Sequence, residues 1–262
     1  VGKAHLEGFG GIEGVKKGKG ELYEYLAASG GTVFISFDNP ALMEMKEKTG
    51  VKNVVYYGTS DDSKVQARVV KISPHLKIEW WHTGKEQELH DIHSHLTGAY
   101  NAENMLAAIC IGDHFDVDDD KIDLGIAGYH PNNNRSQIQQ TEKNTVVCDF
   151  YNANPSSMDA ALENFARLDG QKKTLILADM LELGIDSPAE HETVIRHALE
   201  IPDAECIFIG PDFGRFKADF TAHFFERTSA AKEWLEKNPV ENSTVLLKGS
   251  RGMKLEELLP LL

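Results

Sequence analysis

From Asn144 onward, apolar strand-like runs alternate with helix-patterned ones, and this alternation restricts the fold more than any other feature of the chain. The runs Thr145–Asp149, Thr174–Ala178, Cys206–Gly210 and Thr244–Lys248 are short and rich in aliphatic residues. Helical spacing of apolar residues occupies Ser157–Leu168, Ala189–Leu199, Ala230–Lys237 and Lys254–Leu262, and a shorter strand is expected at His223–Phe225. Parallel neighbours need a crossover, usually a helix, so the pattern predicts a Rossmann-like α/β domain with a doubly wound, mostly parallel sheet. Asp149, Asp179 and Lys248 then fall at carboxyl ends of strands, the edge where open α/β sheets bind ligands.

The first half is less regular. Helices are expected at Gly14–Ala28, Asn39–Lys48 and Ala102–Ile111, and a strand at Thr32–Ser36. Val65–Ile72 and Leu76–Trp81 alternate polar with apolar residues, as half-buried antiparallel strands do. The turn formers of Tyr129-His130-Pro131-Asn132-Asn133-Asn134 read as a linker. They divide the chain into residues 1–131 and 132–262.

Composition excludes several classes. A net charge of −14 lacks the basic footprint that a polyanion needs, so nucleic acid is not an expected partner. It leaves ATP open, because screening makes local clusters decisive, and Lys16, Lys17 and Lys19 form one. Nothing approaches the ~18 consecutive apolar residues of a membrane span, so no membrane partner is expected. Cys110, Cys148 and Cys206 are odd in number and far apart, which suggests buried thiols in a reducing compartment rather than a disulfide frame.

The sharpest local feature is Asp149-Phe150-Tyr151-Asn152-Ala153-Asn154-Pro155-Ser156-Ser157-Met158. It links a strand to a helix for which Asn154 is an expected N-cap and Pro155 the first helical residue. A carboxylate, a phenol and two amides thus gather beside a helix N-terminus, whose free N–H groups favour anions. Taken alone, the string also reads as an ordinary polar turn. The triplet His90, His93 and His95 fits no standard zinc spacing and reads as a polar strand or turn.

Five blocks, in order, resemble the Mur ligase family. They are His5–Gly10 with Glu13-Gly14-Val15 and Lys16–Glu21; Gly98–Asn104; Asp149–Met158; Ala178–Gly184; and Leu247–Arg251. Two departures are visible: Tyr100 stands where the family has His, and Ala178 where it has Gly. The family's phosphate loop, G-x-x-G-K-[ST], does not occur in these residues. The chain is therefore expected to be a fragment: part of a central ATPase domain, then a complete acceptor-substrate domain.

The resemblance implies a cytoplasmic, monomeric, ATP-dependent amide ligase that joins D-alanyl-D-alanine to UDP-N-acetylmuramoyl-tripeptide through an acyl phosphate, the fragment itself being inactive. It implies Mg²⁺ held by His5 and by a carbamoylated Lys19, both counted as catalytic. From first principles a His ligand to magnesium is unexpected, whereas a carbamate is the hard anionic oxygen donor that the ion prefers. Asn101, Asn104, Arg135 and Asp149 would bind the nucleotide. Asn152, Asn154, Lys248, Ser250 and Arg251 would bind the acceptor. Other readings remain: a ligase adding the third peptide residue, a folylpolyglutamate synthase, or a non-catalytic nucleotide-binding module.

Overall fold

The computed structural model describes residues 5–168 and 172–262. The chain divides into two compact units, Phe9–His130 and Pro131–Leu262, and residues 5–8 group with the second.

A one-turn helix α1 (Leu6–Phe9) opens the described chain. The first unit then comprises α2 (Ile12–Ser29), β1 (Val33–Ser36), α3 (Pro40–Thr49), β2 (Val54–Tyr57), β3 (Val65–Lys71), β4 (Lys77–His82), β5 (His90–His93), α4 (Asn101–His114) and α5 (Asp119–Ala127). Its strands run in the order β1-β2-β3-β4-β5. The β1–β2 and β2–β3 pairs are parallel, whereas β3–β4 and β4–β5 are antiparallel. The alternation in β4 has the expected result: Ile78 and Trp80 are fully buried, while Lys77 and Glu79 lie on the other face. Met105, Leu106, Ile109 and Cys110 of α4 close that core with Tyr57, Val65 and Ile92. A smaller cluster joins Tyr23 of α2, Ile35 of β1 and Met45 of α3. Asn39 caps α3 by accepting from Leu42 N, and Pro40 opens the helix. The expectation left out β2, β5 and α5.

The second unit comprises β6 (Gln137–Gln140), β7 (Thr145–Asp149), α6 (Pro155–Ala166), β8 (Lys173–Ala178), α7 (Ser187–Leu199), β9 (Ala204–Ile209), α8 (Pro211–Gly214), β10 (His223–Phe225), α9 (Thr228–Lys237) and β11 (Thr244–Lys248). Its six strands run β10-β9-β8-β11-β7-β6. All pairs are parallel except β6–β7. This is the mostly parallel α/β sheet that the alternation predicted. Its central strands are buried along their length, as strands covered by helices must be. One face packs Val146, Ile176, Ile207 and Val245 against Ala231 and Leu235 of α9 and against Leu255, Leu258 and Leu262.

The helix expected over Lys254–Leu262 is instead a series of 3₁₀ turns, Leu255–Glu257 and Leu259–Leu261. Two residues explain the difference. Lys254 sits at φ +54°, a left-handed geometry that breaks helical continuity, and Pro260 has no N–H to donate. The bonds that form are three-residue ones, such as Leu258 N to Leu255 O at 3.0 Å and Leu261 N to Leu258 O at 2.9 Å. Leu255, Leu258 and Leu262 are buried all the same, which is what their spacing encoded.

Candidate active site

The carboxyl edge of the second sheet gathers the ends of β7, β8, β9 and β11. In parallel register Lys248 lies beside Asp149, and its Nζ reaches Asp149 Oδ2 at 2.6 Å. The Lys248 side chain is only 2% exposed, so this ammonium is held inside the sheet edge. The other Asp149 oxygen accepts from Ser136 N at 3.1 Å. Both charges expected to meet ligands thus meet each other.

The turn after β7 organises itself. Asn154 Oδ1 accepts from Ser157 N at 2.9 Å, and Ser157 Oγ accepts from Asn154 N at 3.1 Å, the reciprocal capping box that opens α6. Asn152 is exposed, and its Oδ1 accepts from Ala153 N. Ser250 is buried: its Oγ accepts from Leu181 N at 2.9 Å and donates to Ala153 O at 3.5 Å, while its own N–H donates to Asp179 O. It therefore ties the ends of β7, β8 and β11 together. Gly249 makes this approach feasible, because a Cβ there would lie 2.6 Å from Ala178 Cβ.

Exposed cations complete the edge. The Arg135 guanidinium lies 4.0 Å from the Tyr151 ring centroid, and that of Arg251 lies 5.5 Å from the same ring. Both arginines are exposed, so their N–H forks remain accessible to carboxylates or phosphates. Tyr151 is the residue that sequence reasoning quoted but assigned no role; nothing in its spacing marks it as the surface on which two arginines assemble.

A buried polar centre lies beneath the loop after β8. Asp179 accepts from Asp212 N and Phe213 N, both at 2.9 Å. His191, fully buried, accepts from Met180 N through Nε2 at 3.1 Å and donates from Nδ1 to Ser187 O at 2.7 Å, a tautomer assigned from these bonds. Burial pushes the Asp179 carboxyl above the ordinary aspartate range, although its two backbone donors and His191 oppose the shift. Gly210 is required here: at φ +128°, its Cβ would stand 2.2 Å from the Asp179 carboxylate. No sequence pattern singled out His191, one of two histidines in an amphipathic helix.

His5 groups with this unit. Its Nδ1 contacts Glu182 Oε2 at 2.5 Å, and Glu7 N donates to Glu182 O at 3.1 Å. A carboxylate on one imidazole nitrogen leaves the other available, as in His ligands to metals. In the first unit, Lys19 is exposed on α2, whereas Lys16 pairs with Glu13 at 2.8 Å. Asn101 is buried at the start of α4; it donates to Thr97 O at 2.7 Å and accepts from Asn104 Nδ2 at 3.0 Å. Of the two amides, Asn104 is the exposed one.

Taken together, a mixed-sheet unit, a parallel α/β unit and a cation-rich carboxyl edge define an α/β protein suited to anionic ligands. Two family models match: Mur ligase middle domain over residues 1–112, and Mur ligase, glutamate ligase domain over residues 134–251. The chain belongs to the Mur ligase family. More particularly, it is similar to the UDP-N-acetylmuramoyl-tripeptide–D-alanyl-D-alanine ligases of Bacillus subtilis (29% identity over 98% of this chain) and Escherichia coli (29% over 97%). It spans 56% and 57% of the length of those relatives. The fold is shared with MurF from Acinetobacter baumannii (TM-score 0.84, 23% identity, covering 99% of this chain and 57% of that one). It is shared also with MurF ligase from Thermotoga maritima in complex with ADP (TM-score 0.79, 20% identity, covering 100% and 59%). No helix among the described residues is long and apolar enough to cross a membrane.

Proposed function

We propose that the protein to which this chain belongs is the ATP-dependent ligase that joins D-alanyl-D-alanine to UDP-N-acetylmuramoyl-tripeptide. The observation that carries this reading is the pair of exposed guanidiniums, Arg135 and Arg251, around Tyr151 beside the capped N-terminus of α6. Such an edge suits a reaction in which anion meets anion. ATP would phosphorylate the tripeptide's terminal carboxylate, and the dipeptide amine would displace phosphate from the resulting acyl phosphate. Charge neutralisation and positioning would be the protein's main contributions.

The site residues fall into two groups on this reading. Arg135, Arg251, Asn152 and Asn104 are exposed and would meet ligands: Arg135 and Asn104 the nucleotide, Arg251 and Asn152 the dipeptide. Asp149, Lys248, Asn154, Ser250 and Asn101 would hold the edge and the α4 entry in shape, since each already bonds within its own unit. Lys19 would serve as a Mg²⁺ ligand only as its carbamate, because an ammonium repels the cation, and His5 would offer its Nε2, the Nδ1 being held by Glu182. The metal would offset phosphate charge. The chain's own contribution is to fix the His5 ring through Glu182 and to keep Lys19 open to carbon dioxide. A monomer working in the cytoplasm fits this reading.

The test is ADP release by the complete enzyme. It should require the nucleotide tripeptide together with D-alanyl-D-alanine. Turnover with a single diamino acid or glutamate, but not with the dipeptide, would replace the reading with that of another family member.

A further inference from the structure

The first unit carries a second group of ligating side chains, none of them a site residue assigned above. Antiparallel pairing sets Trp80 of β4 opposite His90 of β5, with the rings stacked 4.4 Å apart, and His82 ends the same strand. The last turn of α4 brings Asp113, and α5 brings Asp119 and Asp123, one turn apart. His82 Nε2 lies 3.0 Å from Asp119 Oδ2, and its Nδ1 lies 3.9 Å from Asp113 Oδ1. His90 Nε2 lies 3.6 Å from the same Asp119 oxygen.

The protons point to what is needed there. Trp80 Nε1 can only donate, and it donates to Asp123 Oδ1 at 2.7 Å. Asp123 Oδ2 then accepts a hydrogen bond from His90 Nδ1 at 2.9 Å. His90 Nε2 and Asp119 Oδ2 face each other across 3.6 Å, an imidazole nitrogen and a carboxylate oxygen aimed at a common point where a cation would fit between them. The charge count agrees. Asp113, Asp119 and Asp123 bring three negative charges, and Lys64, 2.7 Å from Asp113, returns one positive charge. A divalent cation balances the remainder.

We propose that His82, Asp113 and Asp119 bind one divalent transition-metal ion of the zinc class, with His90 completing the set. Ligating atoms of these three residues lie within 4.8 Å of one another. A tetrahedral ion with bonds of 2.0–2.2 Å holds its ligands about 3.4 Å apart; the 3.0 and 3.6 Å separations of Asp119 Oδ2 from His82 Nε2 and His90 Nε2 lie near that value, and the Asp113 carboxylate would close in from within 4.8 Å. Mixed imidazole and carboxylate ligands favour zinc, cobalt or nickel over magnesium. Trp80–Asp123–His90 is the kind of outer chain that fixes a metal-bound imidazole. The ion would clamp α4 and α5 to the β4–β5 edge. His93 and His95, neighbours of His90 in sequence, take no part; the partners come from helices that no local spacing could reveal.

The test uses the metal-stripped 262-residue chain, with zinc chloride in a calorimeter and Co²⁺ followed by visible absorption. One saturable equivalent, tetrahedral Co²⁺ bands and a zinc-dependent rise in the melting of the first unit are expected. His82→Gln and Asp119→Asn, each checked for folding by circular dichroism, should weaken binding at least 100-fold. Asp123→Asn, which touches only His90 and Trp80, should weaken it about 10–100-fold. The double variant His93→Gln/His95→Gln should bind as the parent does. No saturable uptake, or uptake unchanged in both His82→Gln and Asp119→Asn, would overturn the proposal.

Discussion

Lys248→Met separates a ligand-binding lysine from a structural one. Methionine keeps the long apolar stem and removes only the charge, so the Asp149 carboxylate loses its ammonium partner and keeps the bond from Ser136 N. Breaking a buried ion pair by deleting one partner costs roughly 3–5 kcal/mol, most of it the penalty of an uncompensated charge. Asp149 retains 14% exposure, which places the expected cost near the lower end, ~3 kcal/mol. Asp149→Asn combined with Lys248→Met removes both charges and keeps an amide oxygen for Ser136, so the double variant should lose only ~1 kcal/mol. The double variant should therefore be about 2 kcal/mol more stable than Lys248→Met alone, and since Asp149→Asn alone strands the Lys248 ammonium, the two substitutions should be non-additive by more than that, well beyond the scatter of independent sites. Hydrogen exchange of the β7 and β11 amides reads this directly, because those strands form the centre of the second sheet. Additive costs, or a Lys248→Met chain within ~0.5 kcal/mol of the parent, would refute the reasoning. The lysine would then be free for a substrate carboxylate after all.

Three further outcomes follow from the same structure. Asp179→Asn turns an amide N–H₂ toward one of two backbone donors and should destabilise the second unit by ~1–3 kcal/mol at neutral pH, as measured by denaturant titration. Because burial raises the Asp179 carboxyl above its unfolded value near 4, the native state holds that proton to higher pH. The parent should accordingly gain stability from this group as pH falls through that interval and lose it as pH rises, whereas Asp179→Asn stays flat. In the complete enzyme, Lys19→Ala should cost about 10²–10³-fold in rate, as removal of a preorganised electrostatic group does, with partial rescue by acetate. Lys16→Ala, on a pair exposed to solvent, should cost far less, and equal small losses at both lysines would exclude the metal role. Burial pushes the thiols of Cys110, Cys148 and Cys206 up to about 11, so all three should resist a thiol reagent at neutral pH until the chain is unfolded.

The second unit was legible because its rule is local. A fully buried parallel strand must be a short apolar run, and Thr145–Asp149 and Thr244–Lys248 match to the residue. The first unit was less so. β2 and β5 are four residues each, and β5 carries two histidines that read as a polar strand or turn, a choice that only the burial of Ile92 between them decides. The C-terminal turns kept the helical burial pattern but not the helix, since leucines at spacings of three and four serve a 3₁₀ series nearly as well. Metal-like clusters were illegible for a different reason: His82, Asp113 and Asp119 converge only after a sheet and two helices have formed.

The candidate site shows where motif reading stops. A strand end in a parallel sheet exposes backbone groups and charges that need partners, and the same short block must supply both those partners and the ligand contacts. In Leu247-Lys248-Gly249-Ser250-Arg251 the lysine, glycine and serine build the edge, and only the arginine faces outward. In Asp149–Asn154 the aspartate and the capping asparagine do the same, leaving Tyr151 and Asn152 exposed. Residue type cannot tell these roles apart, because a lysine that neutralises a neighbouring aspartate and one that neutralises a substrate are chemically alike. Burial and partner distance can. Exposed members of each block should therefore report on chemistry when substituted, and buried members on folding, so measuring both quantities for each variant is what assigns the site.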